Sequence, residues 1–309
     1  MKKHLLIAVD GSIYSSQSLE YVAFLFAEDY DINFHLLTCI SANQSVIAPA
    51  VDSKNSLLPE ASGIERKRLT AEQLLENATA KLVSLQIPPQ RINSSVAITN
   101  HDIGNTIQRQ AEQLLMDSIL IGRRGLNAVS KMLLGSVSAT MLNNCHQIPL
   151  WILDGEVTNK NFLAPVDGSL PSLMAIDHLA HIMAGRKDIT IFLFHCRRFL
   201  GKTIAAHPES FYHLWDQEWC DTYLTEDDHL FRGPTQLLIE AGIPENNIII
   251  LPETADIGAA SGILRQADKY QCGTIVIGRR GDGTAKGILG GVSERTINKG
   301  QDITLWVVG

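Results

Sequence analysis

Short apolar runs alternate with stretches whose apolar residues recur every three or four positions, from one end of the chain to the other. An unbroken short apolar run predicts a buried strand, and a period of three to four predicts an amphipathic helix. His4–Asp10 therefore reads as a strand, and Tyr14–Glu28 as a helix with Leu19, Val22, Ala23 and Phe26 on one face. Asn33–Ile40 is a second strand, followed by a polar loop over Ser41–Ser62 with little periodicity. Gly63–Gln86 is a long helix that stops ahead of Pro88, as a helix must. Ser95–Thr99 and Ser118–Gly122 are strands flanking a helix at Asn105–Met116. A last helix covers Ser136–Asn144, and Leu150–Leu153 is the fifth strand. Strands that are apolar on both faces and alternate with helices predict a parallel sheet covered on both sides.

The second half repeats this order and much of its wording. "IAVDGS" (Ile7–Ser12) returns as "APVDGS" (Ala164–Ser169), and "LQIPPQRI" (Leu85–Ile92) as "AGIPENNI" (Ala241–Ile248). Asp102–Gly104 matches Asp256–Gly258, and "PLWIL" (Pro149–Leu153) matches "TLWVV" (Thr304–Val308). A steady offset over such a length is a duplication of whole domains, not a solenoid repeat of ~20–50 residues. The fold class is α/β: two tandem open-sheet domains, each of five mostly parallel strands with helices on both faces. The domains span residues 1–154 and 161–309, joined through the short polar stretch Asp154–Lys160. One region departs from the copy. Phe199, Phe211, Tyr212, Trp215, Trp219 and Tyr223 precede Gly233-Pro234, where proline is expected to break the helix. These aromatics either pack onto their own domain or form a contact surface.

Composition narrows the function. The chain has 309 residues, 45% hydrophobic and 19% charged, with a net charge of −7. That acidic balance argues against nucleic acid or an anionic membrane as the main partner. Five cysteines at irregular spacing do not form a disulfide framework. Cys39, Cys145 and Cys272, beside or within apolar runs, read as small buried hydrophobes. The apolar stretch after "MKKH" is too short for a secretory core, which needs roughly 7–15 residues, and no run approaches the ~20 of a membrane span. The expected compartment is the cytoplasm.

The candidate chemistry lies in a loop written twice: "IGRRGLNAVSKMLLGSVS" (Ile121–Ser138) and "IGRRGDGTAKGILGGVS" (Ile277–Ser293). In an open parallel sheet, ligands bind beyond the carboxyl ends of the strands. Gly122 and Gly125 let the backbone turn and a ligand approach closely. Gly135-Ser136 then opens a helix whose unpaired N–H groups and positive dipole end attract anions, with the Ser136 and Ser138 hydroxyls as further donors. No Gly-Lys-Ser/Thr follows, so this is neither a P-loop nor the short dinucleotide turn. The bare alternatives are close helix–sheet packing for the glycines and an ordinary strand-exit turn for Asp10.

G-x-x-G, nine residues and G-S after a fourth strand, with "VDGS" after the first, resembles the ATP-binding universal stress proteins. The likeness covers essentially the whole chain, and the duplication is similar to that family's tandem branch. It implies a Rossmann-like sheet of the adenine nucleotide alpha hydrolase type. It also implies that Asp10 faces adenine or ribose and Ile40 forms an apolar adenine wall. Gly122, Arg123 and Gly125 would line ribose and phosphates, and Gly135, Ser136, Val137 and Ser138 would hold the phosphates. Arg123 or Arg124 would either neutralise phosphate or sit solvated. The family's domains associate through their last strands, so "PLWIL" and "TLWVV" are expected to pair within this chain, leaving further homodimerisation open.

The second copy keeps Asp167, Gly278, Arg279 and Gly281. Gly290 stands opposite Gly135 if "LGGVS" is matched to "LGSVS"; otherwise Gly291 does, followed by Val292 and Ser293. Either way the Ser136 hydroxyl is missing, Cys196 takes the place of the adenine wall, and Pro165 stiffens the strand. The first domain is expected to be the better ATP site. His195, Cys196, His207, His213, Cys220 and His229 crowd one region but fit no metal-ligand spacing. No nucleophile elbow or paired carboxylates stand out, so no catalytic residue is assigned. Three functions follow from the resemblance and the residues together. The chain is an ATP- or other adenine-nucleotide-binding stress protein whose bound nucleotide biases a protein partner. Or it is a slow ATPase or phosphotransferase with magnesium bridging the phosphates. Or it is a paired-domain scaffold without nucleotide.

Overall fold

The computed structural model describes residues 2–29, 31–42, 63–125, 134–198, 207–225, 230–256, 258–279 and 291–309. Most of the polar loop after the second strand, Phe199, Gly281 and Gly290 lie outside them. The chain divides into two units, Met1–Cys145 and His146–Gly309.

The first unit runs β1 (Lys3–Ala8), α1 (Ile13–Phe26), β2 (Ile32–Ser41), α2 (Gly63–Ser84), β3 (Ile92–Thr99), α3 (Ile103–Gln113), β4 (Ser118–Gly122) and α4 (Ser136–Asn144). Its strands lie in the order β3-β2-β1-β4 and are parallel. Leu6, Ile7, Ile119 and Leu120 are fully buried, as expected for central strands covered on both faces. Helix α1 begins one residue earlier than its apolar period suggests, because the Ser12 side chain accepts from Ser15 N and caps it.

The second unit runs β5 (Leu150–Asp154), β6 (Asn161–Pro165), α5 (Leu170–Ile182), β7 (Thr190–Phe194), β8 (Cys196–Arg198), α6 (Gln217–Tyr223), α7 (Arg232–Glu240), β9 (Ile248–Ile250), β10 (Thr254–Asp256), α8 (Ala259–Lys269), β11 (Thr274–Gly278), α9 (Val292–Lys299) and β12 (Ile303–Val308). Its sheet has the order β5-β12-β11-β6-β7-β9. From β9 to β12 the strands are parallel, and β5 joins β12 antiparallel with Trp151 opposite Trp306. The expected pairing of "PLWIL" with "TLWVV" is therefore present. It also explains why β5, the last strand of the first sequence copy, groups with the second unit.

Where the first unit has the single ten-residue β2, the second breaks it at His195 into β7 and β8. Pro234 sits in the first turn of α7, where its missing N–H costs little, so two helices replace one long one. Gly233 ahead of it is needed because a Cβ there would lie 2.5 Å from Leu224 Cδ2. The aromatics pack mainly on their own unit. Phe211 is buried, Trp219 Nε1 donates to Glu240 at 3.0 Å, and the Trp215 ring lies 6.2 Å from that of Phe211. Among the described residues, no helix is long and apolar enough to cross a membrane.

Candidate functional site

From β1 the chain steps outward to β2 and β3, then returns to the other side of β1 for β4. The strand order thus reverses between β1 and β4, which opens a crevice beyond their carboxyl ends. Asp10 follows β1, and Gly122–Gly125 ends β4, so both lie at this crevice. The wall beside it is taller. Residues of β1 pair with β2 as far as Ala8 and Leu37, whereas β2 and β3 continue to Ser41 and Thr99. Half-buried Ile40 stands on that overhanging stretch.

Each residue of "DGS" has a local role. Asp10 Oδ1 accepts from Ser12 N at 2.9 Å, Gly11 adopts φ +80°, and Ser12 caps α1. This is the strand-exit turn. The other carboxylate oxygen faces the glycine loop: a Cβ on Gly125 would lie 2.6 Å from Asp10 Oδ2. Asp10 is exposed, so that oxygen is open to a ligand hydroxyl or amino donor.

Neither loop arginine is freely solvated: one is buried and the other half-buried. Arg123 is buried, and Arg124 Nη1 donates to Tyr14 Oη at 2.6 Å with its guanidinium 5.1 Å from the Tyr14 ring centroid. Tyr14 was not singled out by the sequence, because its partner lies 110 residues away. It also fixes Gly122, where a Cβ would lie 2.6 Å from Tyr14 Cβ. Gly122 is therefore a packing glycine.

Gly135 N donates to Arg123 O at 2.9 Å and closes the base of the loop, whose residues 126–133 lie outside the described ones. A Cβ at Gly135 would crowd Arg123 O at 3.2 Å and Arg124 Cα at 3.3 Å. Helix α4 has no side-chain cap at Gly135, and its first backbone bond runs from Ala139 N to Gly135 O. Among the described residues nothing accepts from the N–H groups of Ser136, Val137 and Ser138. Three such donors at a helix start, with the positive end of the dipole, are groups that can receive an anion. The Ser138 hydroxyl does not add to them: it is buried and donates its one proton to Gly122 O at 2.9 Å. The expectation of a phosphate-donating Ser138 hydroxyl is corrected accordingly. Ser136 is exposed and keeps its hydroxyl available.

A family model described as the universal stress protein family matches residues 1–153 and again 158–308. The chain belongs to the universal stress protein family. Among solved structures it is similar to a universal stress protein from Archaeoglobus fulgidus DSM 4304, at 19% identity over 99% of this chain and 95% of that one, with a TM-score of 0.63. It is also similar to a functionally unknown protein from Pseudomonas aeruginosa PAO1, at 14% identity over 99% and 92%, with a TM-score of 0.56. At these identities the likeness is one of fold. No curated protein matches the chain.

The second universal stress protein copy keeps the frame of the crevice and changes its lining. Asp167 Oδ1 accepts from Ser169 N at 3.1 Å, Gly168 has φ +77°, and Ser169 caps α5. Arg279 is held by its N–H on Val308 O and by Nη1 donating to His146 Nδ1 at 3.1 Å. The Ser293 hydroxyl donates to Gly278 O at 3.3 Å, as Ser138 does to Gly122 O, which supports matching Gly290 with Gly135. The helix nevertheless starts one residue later, with uncapped Gly291 before Val292.

The strand register corrects another equivalence. Ala8 opposite Leu37 and Pro165 opposite Phe194 place Cys196 opposite Cys39, so the counterpart of Ile40 is Arg197. Where Thr38 Oγ1 donates to Val9 O, His195 Nδ1 bonds Val166 O at 2.7 Å. A carbonyl only accepts, so His195 carries its proton on Nδ1. Burial pushes the Cys39 and Cys272 thiols up to about 12, which removes them from thiolate chemistry near neutral pH. Among the described residues, no group of three or more His, Cys, Asp or Glu gathers to hold a metal ion.

Proposed function

We propose that the first unit binds ATP, or another adenine nucleotide, in the crevice between β1 and β4. The observation that carries this reading is the uncapped start of α4, with three N–H groups that have no acceptor among the described residues, at the end of a glycine loop whose Gly125 lies against the Asp10 carboxylate beside a strand-order reversal. These residues fit a nucleotide. Ser136, Val137 and Ser138 N–H would hold the phosphates, Asp10 would accept from the nucleoside, and Ile40 would supply an apolar wall. Magnesium, if required, would be bound through the phosphates. The nucleotide biases contacts with a protein partner in the stress response, and five cysteines that form no disulfide support a cytoplasmic setting. In the second unit, the larger His195 at the position of Thr38 favours an empty crevice or another ligand.

The test is a calorimetric ATP titration, with magnesium, of the wild type, Ser136→Pro and Ser136→Ala. Proline at the first helical position removes one phosphate donor yet suits the helix, and extended Gly135 (φ −63°, ψ 153°) is compatible with a following proline. Losing a hydrogen bond to a charged group should weaken ATP by roughly ten- to a hundredfold, with the melting temperature of the free chain unchanged. Ser136→Ala isolates the hydroxyl. Absence of any ATP heat in the wild type would favour the scaffold reading, and steady magnesium-dependent turnover would favour the slow ATPase.

A further inference from the structure

Away from this crevice, the outer edge of β3 lies beside a cleft of about 350 Å³ lined by residues 95–101 and by Thr106, Arg109 and Gln110 of α3. None of the nucleotide-site residues lines it. The backbone direction along this edge can be read from one bond. Thr99 O accepts from Ala42 N on the β2 side. Backbone groups alternate along a strand, so Ala97 and Ser95 also face β2, while the N–H and C=O of Val96 and Ile98 face outward. Among the described residues, no strand pairs with that edge.

Proteins protect exposed edges with lysine, proline, bulges or short strands. β3 has none of these. It is eight residues long, "INSSVAIT", without charge, proline or glycine, and its register with β2 runs unbroken from Phe34–Ile92 to Ser41–Thr99. The equivalent edge of the second unit is guarded: β9 has only three residues, and Pro252 follows closely. Among the described residues, the first edge therefore presents a longer open row of backbone partners than the second.

The cleft also has a charge preference. Its polar floor is already satisfied, since Thr99 Oγ1 accepts from Thr106 Oγ1 and His101 N, both at 2.9 Å, and Ser95 Oγ bonds His35 Nε2 at 2.8 Å. Arg109 is exposed and has no ion pair among the described residues. No Asp or Glu lines the cleft. Nearby acids are engaged elsewhere, Asp102 capping α3 at Asn105 N and Glu112 accepting from Gln108 Nε2.

We propose that β3 and α3 form a docking site for an extended acidic peptide. The peptide adds a strand through Val96 and Ile98 and places a carboxylate on Arg109. The test offers immobilised full-length protein a positional-scanning library of seven-residue, N-acetylated, C-amidated peptides. The expected result is enrichment of Asp or Glu at one position. The selected peptide should then bind at least tenfold more weakly to Val96→Pro, which removes an outward donor without touching the β2 ladder, and to Arg109→Glu. Val96→Thr, which keeps the donor, should bind as the wild type does. Arg109→Glu, an exposed change, decides the matter if Val96→Pro does not fold. No acidic enrichment, or unchanged binding to Arg109→Glu, overturns the proposal. So does a wild-type dimer that Val96→Pro dissociates, because the edge would then belong to a second copy of the chain.

Discussion

Replacing Trp306 with alanine should destabilise the second unit by about 3–5 kcal/mol, as large-to-small changes of buried tryptophan do. Trp306 has no exposed surface and lies parallel to Trp151 with ring centroids 3.8 Å apart. Phe162 and His178 meet its ring edge-on at 5.5 and 5.9 Å. The opposite ring cannot follow the truncation, because Trp151 is held by its strand register and by its Nε1 donating to His178 Nε2 at 3.3 Å. A cavity remains in the place where β5 joins β12. For a unit of this size the loss corresponds to a fall in melting temperature of roughly 6–20 °C. All four tryptophans lie at or beyond residue 151, so their fluorescence reports this unit alone. Urea unfolding followed by that signal measures the effect, and Trp306→Phe should recover part of it. A loss below about 1 kcal/mol would mean that the neighbours refill the site and the stack is not what holds β5 to the sheet.

That pairing was legible in the sequence, and the reason is physical. "PLWIL" and "TLWVV" are apolar on both faces, so each must be covered and paired, and the duplication supplies each with a matching partner. The order of strands and helices was legible on the same ground, since burial imposes its own period. What depended on contacts between distant residues was not. The glycines of the loop look alike in sequence but differ in what approaches them: Tyr14 at Gly122, the Asp10 carboxylate at Gly125, and the loop's own backbone at Gly135. The Ser138 hydroxyl resembled a phosphate donor until Gly122 O was found within its reach. The adenine-wall equivalence slipped by one residue, from Arg197 to Cys196, and in a strand one residue is the difference between two faces. Asp10 was legible as a candidate but not in its division of labour, one oxygen for the turn and one toward the loop.

The glycines also give the second large effect. Gly278→Ala should destabilise the second unit by about 3 kcal/mol, at the upper end of overpacking costs. The new Cβ would lie 2.2 Å from Pro171 O and 2.3 Å from its carbonyl carbon. Both are backbone atoms in the first turn of α5, and no rotamer change can move them aside. Relief requires α5 to lift from β11. At the equivalent Gly122 the nearest atom is Tyr14 Cβ at 2.6 Å, with α1 backbone no closer than 3.3 Å, so Gly122→Ala should cost less. Gly291 behaves differently. Its φ of −65° and ψ of 165° suit any residue, and a Cβ there meets nothing within 4 Å among the described residues. Gly291→Ala should therefore change stability by no more than about 0.5 kcal/mol. Urea unfolding of the three variants, each without ligand, orders them Gly278, Gly122, Gly291. If Gly291→Ala proved as damaging as Gly278→Ala, packing would explain the whole glycine pattern, and the uncapped helix starts would lose their claim to be anion sites. If the order holds, the strand-end glycines are kept by helix contact, and packing among the described residues does not account for the helix-start Gly291.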